Sequence, residues 1–281
     1  MLSRLARGGL AVSVAAGAYA ASSDLTGSTR RRCHAKRCCS LPEAHGALEA
    51  DGLCIVGEVY TAAELQECCA GAAACRELPT SSDARSSRTW RGSSLGRYHR
   101  IDFCNEDVAA FERLEQRVLP LVEEFFGEEK PYRSELQLLT ATPESSDQIW
   151  HSDNRGRGLT LVLPLGAAGF SAENGATQLL PGSHHLAAGS VADGLRAVLR
   201  EGPRLACAPL GSVVAYDART YHRGTGNASA EARPCLVLRY DARATPPPGV
   251  GMVGTFAHSA AASVLHVAAA CAVRWREGRR D

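Results

Sequence analysis

The sequence predicts an α+β fold in which helices in the first half buttress an all-β jelly-roll sandwich or barrel in the second. Three observations carry this. Thr61 and Glu64 form a T-x-x-E capping box at the head of a helical stretch that runs to about Glu77. Phe111, Leu114, Val118, Leu121, Val122 and Phe125 recur every three to four residues, the period of an amphipathic helix. Beyond Pro131 that period gives way to short apolar runs separated by Gly, Pro, Ser and Asn, the pattern of consecutive short strands.

Residues 1–22 have the character of a targeting segment: Arg4 and Arg7 precede an uncharged run of small residues, and no acidic residue comes before Asp24. The Ala18-Tyr19-Ala20 ending fits a secretory signal, and the Arg, Ser and Ala bias fits an organellar transit peptide equally well; either route is favoured over the cytosol. Residues 23–50, rich in Ser, Arg and Cys without a sustained apolar period, are expected to be a linker. The folded domain is expected over 51–245. It should open with a strand over 53–56 and continue through the capped helix to a Ser- and Arg-rich loop over 80–94. A second helix should start at the N-cap Asn105, with Pro120 kinking it or splitting it in two. Strands are expected over 134–140, 159–164, 176–180, 212–216 and 234–240, with a loop over 187–202. The tail, 246–281, begins with Pro246-Pro247-Pro248 and holds an uncharged run over 249–273 before Arg274, Arg276, Arg279 and Arg280. Its length would span a bilayer, but Ala, Gly, Ser, His258 and His266 make the transfer poor, so a helix lying on the barrel is expected rather than a membrane anchor.

A total of 281 residues suits one medium-sized domain with a full core. Lys and Arg number 31 against 30 Asp and Glu, so the charge excess that marks a nucleic-acid binder is missing and a small-molecule substrate is expected. Nothing in the residues specifies an oligomeric state. The eleven cysteines are odd in number and crowd before residue 105, which argues for reduced, partly buried thiols over a disulfide framework. Cys33, His34, Cys38 and Cys39 look superficially like a zinc site but lack a second C-x-x-C pair at finger spacing, so no metal is expected there.

The chemistry-bearing residues follow the start of the β region. Residues 150–153 read Trp-His-Ser-Asp, and in an extended chain His151 and Asp153 point the same way, so an imidazole and a carboxylate converge. A second imidazole would complete the 2-His-1-carboxylate arrangement that holds iron(II) on one face and leaves the other positions open. His222, just after the expected strand 212–216, is the candidate, and Arg233 opens the next strand with a guanidinium able to grip a carboxylate in two parallel hydrogen bonds. H-x-D alone occurs by chance in many chains; the spacing of His222 and Arg233 is what raises its weight.

Four blocks, His151-Ser152-Asp153, residues 173–184 (Glu-Asn-Gly-Ala-Thr-Gln-Leu-Leu-Pro-Gly-Ser-His), residues 216–224 (Tyr-Asp-Ala-Arg-Thr-Tyr-His-Arg-Gly) and Arg233-Pro234, resemble the phytanoyl-CoA dioxygenase (PhyH) family in order and spacing. The resemblance implies a double-stranded β-helix, a cupin-like jelly-roll barrel, and an oxidoreductase: an Fe(II)- and 2-oxoglutarate-dependent dioxygenase that takes O2 as its other cosubstrate. It would hydroxylate a small organic substrate while 2-oxoglutarate is decarboxylated to succinate and CO2. It places the metal on His151, Asp153 and His222 and the far carboxylate of 2-oxoglutarate on Arg233. Related halogenases lack the carboxylate ligand, so the presence of Asp153 implies hydroxylation.

A second 2-oxoglutarate contact is implied on the strand before the metal motif, where Thr140 and Gln137 are available but point to opposite faces; Thr140 is the weakly preferred choice. Arg239 shares parity with Arg233 and is the alternative clamp. The strand 159–164 carries no aromatic residue, so its pocket wall is expected to be aliphatic. Arg155 and Arg157 read as solvated loop charges or as contacts to an anionic substrate, Asp217 and Arg219 as a structural pair, and 181–184 as barrel-mouth structure with His184 or His185 as a secondary substrate contact. Two competitors stay open: a catalytically silent double-stranded β-helix serving as a binding module, and a metal-dependent barrel enzyme of another type, which would use more histidines and have no need of Arg233.

Overall fold

The computed structural model describes residues 37–38, 41–77, 99–103, 109–166, 168–187, 189, 191–242 and 256–279. The expected targeting segment, the 80–94 loop, the Asn105 cap and the side chains of the Cys33–Cys39 cluster lie outside the described residues.

Two sheets and six helices make up the described chain. The large sheet runs in the order β1 (Arg37–Cys38), β2 (Leu53–Val56), β8 (Val213–Asp217), β5 (Gly158–Pro164), β10 (Arg233–Ala242), β4 (Pro131–Ala141) and β3 (His99–Phe103), antiparallel throughout except for β1 against β2. The small sheet runs β7 (Arg204–Leu205), β6 (Thr177–Leu179), β9 (His222–Gly224). Strands next to each other in the sheets are mostly distant in sequence, as a jelly roll's crossings require.

Alternation along the large sheet separates two cores. Cys54, Val56, Leu159, Leu161, Leu163, Val213, Ala215, Leu236, Leu238 and Tyr240 turn to one face, where they pack against α1 (Leu41–Asp51), α2 (Ala62–Glu77) and α3 (Ala109–Phe126). From the other face Leu53, Ile55, Val162, Val214, Tyr216, Cys235 and Val237 meet Leu179 and Leu205 of the small sheet. A third, smaller cluster joins Trp150, Leu180 and Val198 to Ala262 and Ala269 of the C-terminal helix α6 (Phe256–Glu277). That helix packs on α5 (Val191–Glu201), as expected of a helix lying on the barrel, and among the described residues no helix is long and apolar enough to cross a membrane.

The Thr61–Glu64 box forms as read: Thr61 N donates to Glu64 Oε2 at 2.8 Å and Glu64 N to Thr61 Oγ1 at 3.2 Å. Four expectations need correction. The linker expected through residue 50 ends earlier, because α1 buries Ala44, Ala47 and Leu48 at helical spacing. It stops at Gly52, whose φ of +74° suits a C-terminal cap and whose absent side chain leaves room for His184; a Cβ there would lie 2.4 Å from Nδ1. Of the two outcomes expected of Pro120, the split does not occur: Leu121, Val122, Phe125 and Phe126 extend the buried face of Phe111, Leu114 and Val118, and that burial outweighs the ~3 kcal/mol an interior proline costs. The expected 187–202 loop contains α5, whose Val191, Leu195, Val198 and Leu199 recur at helical spacing, with Val198 buried and the other three exposed. Cys54, Cys68, Cys69, Cys235 and Cys271 are free, but Cys207 is disulfide-bonded; an odd count excludes complete pairing and not a single bridge. A four-residue turn, α4 (His184–Ala187), completes the helices.

Candidate metal centre

His151 and His222 sit opposite each other on adjacent extended segments, joined by reciprocal backbone hydrogen bonds, His151 N to His222 O at 3.0 Å and His222 N to His151 O at 2.8 Å. Each imidazole is then fixed by a backbone carbonyl two residues before it. Nδ1 of His151 lies 2.9 Å from Ile149 O, and Nδ1 of His222 lies 3.0 Å from Thr220 O. A carbonyl only accepts, so each Nδ1 carries the proton and each Nε2 offers its lone pair. Asp153, two residues past His151, presents Oδ1 at 3.9 Å from His151 Nε2 and 3.5 Å from His222 Nε2. The three side chains are the one trio of metal-ligating type brought within 4.8 Å among the described residues. Their chemistry fits a divalent cation: two imidazoles with Nε2 free of a proton and one carboxylate, converging from three sides.

Electrostatics hold that protonation pattern. Burial pushes His151 down to about 4, with His222 adding to the effect, so the ring is neutral at physiological pH. Burial alone would raise Asp153; His222, Arg239 and His151, with the hydrogen bond from Thr160, hold it down at about 2 and keep it ionised. Thr160 Oγ1 donates to Asp153 Oδ2 at 2.7 Å, leaving Oδ1 to the histidines. Arg239 Nη2 donates to Asp153 O at 3.0 Å, and its Nε lies 3.2 Å from Asp241 Oδ2. Asp241 also accepts from Asn154 Nδ2 at 3.1 Å and Ser134 Oγ at 2.6 Å, and Asn154 Oδ1 in turn accepts from Arg155 N and Gly156 N. This network sets the turn that follows the two ligands. Tyr216 Oη, at 3.3 Å from His222 Nε2, stands beside the point where the ligands converge, and burial raises its pKa well above the ordinary value.

Arg233 lies on the inner face of β10 and is buried. Its Nη2 donates to Gly175 O at 2.8 Å, its Nε to Asn174 O at 3.3 Å, and its guanidinium stacks on Phe170 with 5.2 Å to the ring centre. The Asn-Gly of the 173–184 block thus orients this arginine. Gly175 has φ +89° and a Cβ there would lie 2.6 Å from Thr225 O, so only glycine brings that carbonyl in without strain. Asn174 ties its own loop through Gly169 O and Ser171 N, both at 2.8 Å.

The register separates Gln137 from Thr140. Gln137 pairs with Val237, which packs between the sheets, so both face the centre; Thr140 pairs with Pro234 and shares the face of Leu138, turned to the helices. The preference for Thr140 is thereby corrected: a side chain three residues along a strand from Gln137 must leave by the other face. Arg239 is engaged with Asp153 and Asp241, which removes it as the clamp. Asp217 and Arg219 form the expected pair at 2.6 Å. Arg155 is exposed; Arg157 instead donates to Phe125 O and lies over the Phe125 ring. His184 is buried with Nε2 3.1 Å from Glu49 O, where it secures α1. The wall of β5 is not wholly aliphatic, since Thr160 and Val162 share the inner face, and Tyr216 of neighbouring β8 supplies an aromatic ring. Residue parity, which singled out Arg239 on β10, was also the signal that could have placed Thr160 and Tyr216 on the inner face.

The fold is shared with known enzymes. The non-heme alpha ketoglutarate dependent epimerase SnoN from nogalamycin biosynthesis superposes with a TM-score of 0.58 at 22% identity, over 75% of this chain and 86% of that one. AviO1 from Streptomyces viridochromogenes Tue57 gives 0.56 at 22%, over 75% and 99%. EctD from S. alaskensis, solved with 2-oxoglutarate and 5-hydroxyectoine, gives 0.57 at 20%, over 71% and 75%. Comparison with curated proteins gives no match. The family model for phytanoyl-CoA dioxygenase (PhyH) matches residues 48–235, from the end of α1 through both histidines, Asp153 and Arg233, and the chain belongs to that family.

Proposed function

We propose that the protein is an iron(II)- and 2-oxoglutarate-dependent dioxygenase acting on a small organic molecule, with hydroxylation as its reaction. The observation that carries this is the convergence of His151 Nε2, Asp153 Oδ1 and His222 Nε2 on one point, with Arg233 on the inner face of the same sheet system. The two sheets, with the 148–151 segment running along β9 through Gln148 N to Gly224 O at 2.8 Å, are read as the double-stranded β-helix of the family.

His151, Asp153 and His222 would hold iron(II), and Arg233 the far carboxylate of 2-oxoglutarate, with Gln137 as the second polar contact. The bound iron and 2-oxoglutarate supply the oxidising chemistry, consuming O2 and releasing succinate and CO2. The chain's own residues bind and aim. The Nδ1 bonds of the two histidines keep both Nε2 atoms unprotonated, and Thr160 keeps one carboxylate oxygen turned inward. Val162, Val214 and Val237 exclude water around them. Similar folds include an alpha ketoglutarate dependent epimerase and carbocyclase; the Asp153 carboxylate is what favours hydroxylation over halogenation here.

The test is uncoupled succinate release from 2-oxoglutarate with and without iron(II), alongside the visible absorption of the anaerobic iron–2-oxoglutarate chelate. Iron-dependent turnover or the absorption band supports the assignment. Folded, iron-supplied protein with neither would turn it toward a silent barrel. Arg233→Ala should raise the 2-oxoglutarate requirement about 100-fold, the loss of a charge-assisted pair worth roughly 3 kcal/mol.

A further inference from the structure

Glu135 is a charged residue that the proposed reaction does not use. It stands on β4 directly across from Arg239 of β10, two positions from Gln137, and so faces the metal centre and not the helices. A carboxylate placed there would normally pair with its cross-strand arginine. Arg239 is turned to Asp153 O and Asp241, and among the described residues the hydrogen-bond donor to Glu135 is Gln137, whose Nε2 gives one bond at 3.3 Å. Three of the four lone-pair positions of the carboxylate are left for something else. Burial pushes the group up to about 7; Arg239 opposes this, and Asp153 and Asp241 add to it.

The charge balance of the loaded site says what that something is. The charges of iron(II) and 2-oxoglutarate offset each other, Asp153 offsets Arg233, and Asp241 offsets Arg239. As metal ligands the two imidazoles would bring no charge. Among the described residues Glu135 alone remains, a half-buried carboxylate on the inner face of the sheet, where an uncompensated ion is costly and a counter-ion correspondingly favoured. We infer that Glu135 receives a cationic nitrogen of the substrate, so that the enzyme acts on an amine or ammonium compound and holds it by that group beside the metal. An anionic substrate group at this position would meet repulsion in place of a partner.

The inference rests on the proposed oxygenase reading, and the experiment separates the two. The full chain, loaded anaerobically with iron(II) and 2-oxoglutarate, is titrated at constant ionic strength near pH 8 with cyclohexylammonium, cyclohexanol and cyclohexanecarboxylate, three probes of similar shape and different charge. Binding is read by calorimetry and by perturbation of the chelate absorption. The ammonium probe should bind at least tenfold more tightly than the alcohol, and the carboxylate should bind least. Glu135→Gln should bring the ammonium and alcohol within about twofold of each other, and Glu135→Asp, which keeps the charge, should retain part of the preference. Equal affinity of ammonium and alcohol for the native chain, or a preference that survives in Glu135→Gln, overturns the inference. A native chain that forms no chelate overturns the oxygenase reading and this one with it; a chelate without cation preference overturns this one alone.

Discussion

The two faces of β10 carry opposite kinds of side chain. Its even-numbered side chains, Leu236, Leu238, Tyr240 and Ala242, enter the helix-backed core, and its odd-numbered ones, Arg233, Cys235, Val237, Arg239 and Asp241, face the metal centre. One strand therefore supplies stability on one side and fixed charge on the other. The helix-facing side can be all apolar because helices seal it. The inner side can hold two arginines and an aspartate because each finds partners at hydrogen-bond distance, Arg233 among backbone carbonyls and Arg239 with Asp241.

If that division is real, changes on the two faces should fail in different assays. Asp153→Ala and His222→Ala should abolish iron-dependent succinate formation and leave a folded chain, seen as loss of turnover without loss of the cooperative unfolding transition. Full turnover by either variant would break the metal assignment. Leu161→Ala, at a fully buried helix-facing position, should cost 2–5 kcal/mol, on the order expected for buried leucine truncation, while turnover per folded molecule stays the same. Denaturant midpoints measured beside specific activity would show whether the effects separate.

His266 sharpens the contrast from outside both faces. It is fully buried on α6 against Trp150, with neither ring nitrogen hydrogen-bonded, and burial pushes it down to about 3, with Arg223 adding and Asp147 opposing. Its pKa is lower folded than unfolded. The stabilisation is therefore complete above about 6.5 and is lost as pH falls toward 3, because only the unfolded chain takes up the proton in that window. At pH 5 the loss is about 2 kcal/mol at ~1.4 kcal/mol per unit. His266→Leu should remove that part of the pH dependence, read as the difference in stability between pH 7 and pH 5; an unchanged difference would show that the ring does not sit as described. The smallest effect belongs to Thr160→Val, which keeps shape and removes the hydrogen bond to Asp153. Iron(II) affinity should fall about tenfold with little change in stability, in line with the loss of a group that supports a metal ligand.

How much of this was legible depended on whether neighbours in space were also neighbours in pattern. The capped helix α2, the buried stripe of α3, all six expected strands and the converging trio of His151, Asp153 and His222 could be read, since each rests on a local period, a cap or a two-residue spacing. The choice between Gln137 and Thr140 could not, because it needs the register of β4 against β10. Helix α1 is hard to read because small residues, Ala44 and Ala47, pack beside Leu48, whereas α5 carries a readable period in Val191, Leu195, Val198 and Leu199. Thr160, Tyr216, Arg239 and Glu135 are ordinary strand residues in the sequence; only the pairing of strands far apart in the chain gathers them around one point.

The reciprocal hydrogen bonds between His151 and His222 have a bearing on metal selectivity. Backbone pairing, and not bonds to an ion, sets the spacing of the two imidazoles, so the site exists before any cation arrives and needs little rearrangement to accept one. A preformed pair of imidazoles with a carboxylate binds divalent metals in the general order that places iron(II) below cobalt, nickel, copper and zinc. Such a site does not choose iron by strength. Its metal is decided by which ion is plentiful where the chain folds, and traces of zinc or nickel met during isolation would occupy it in iron's place.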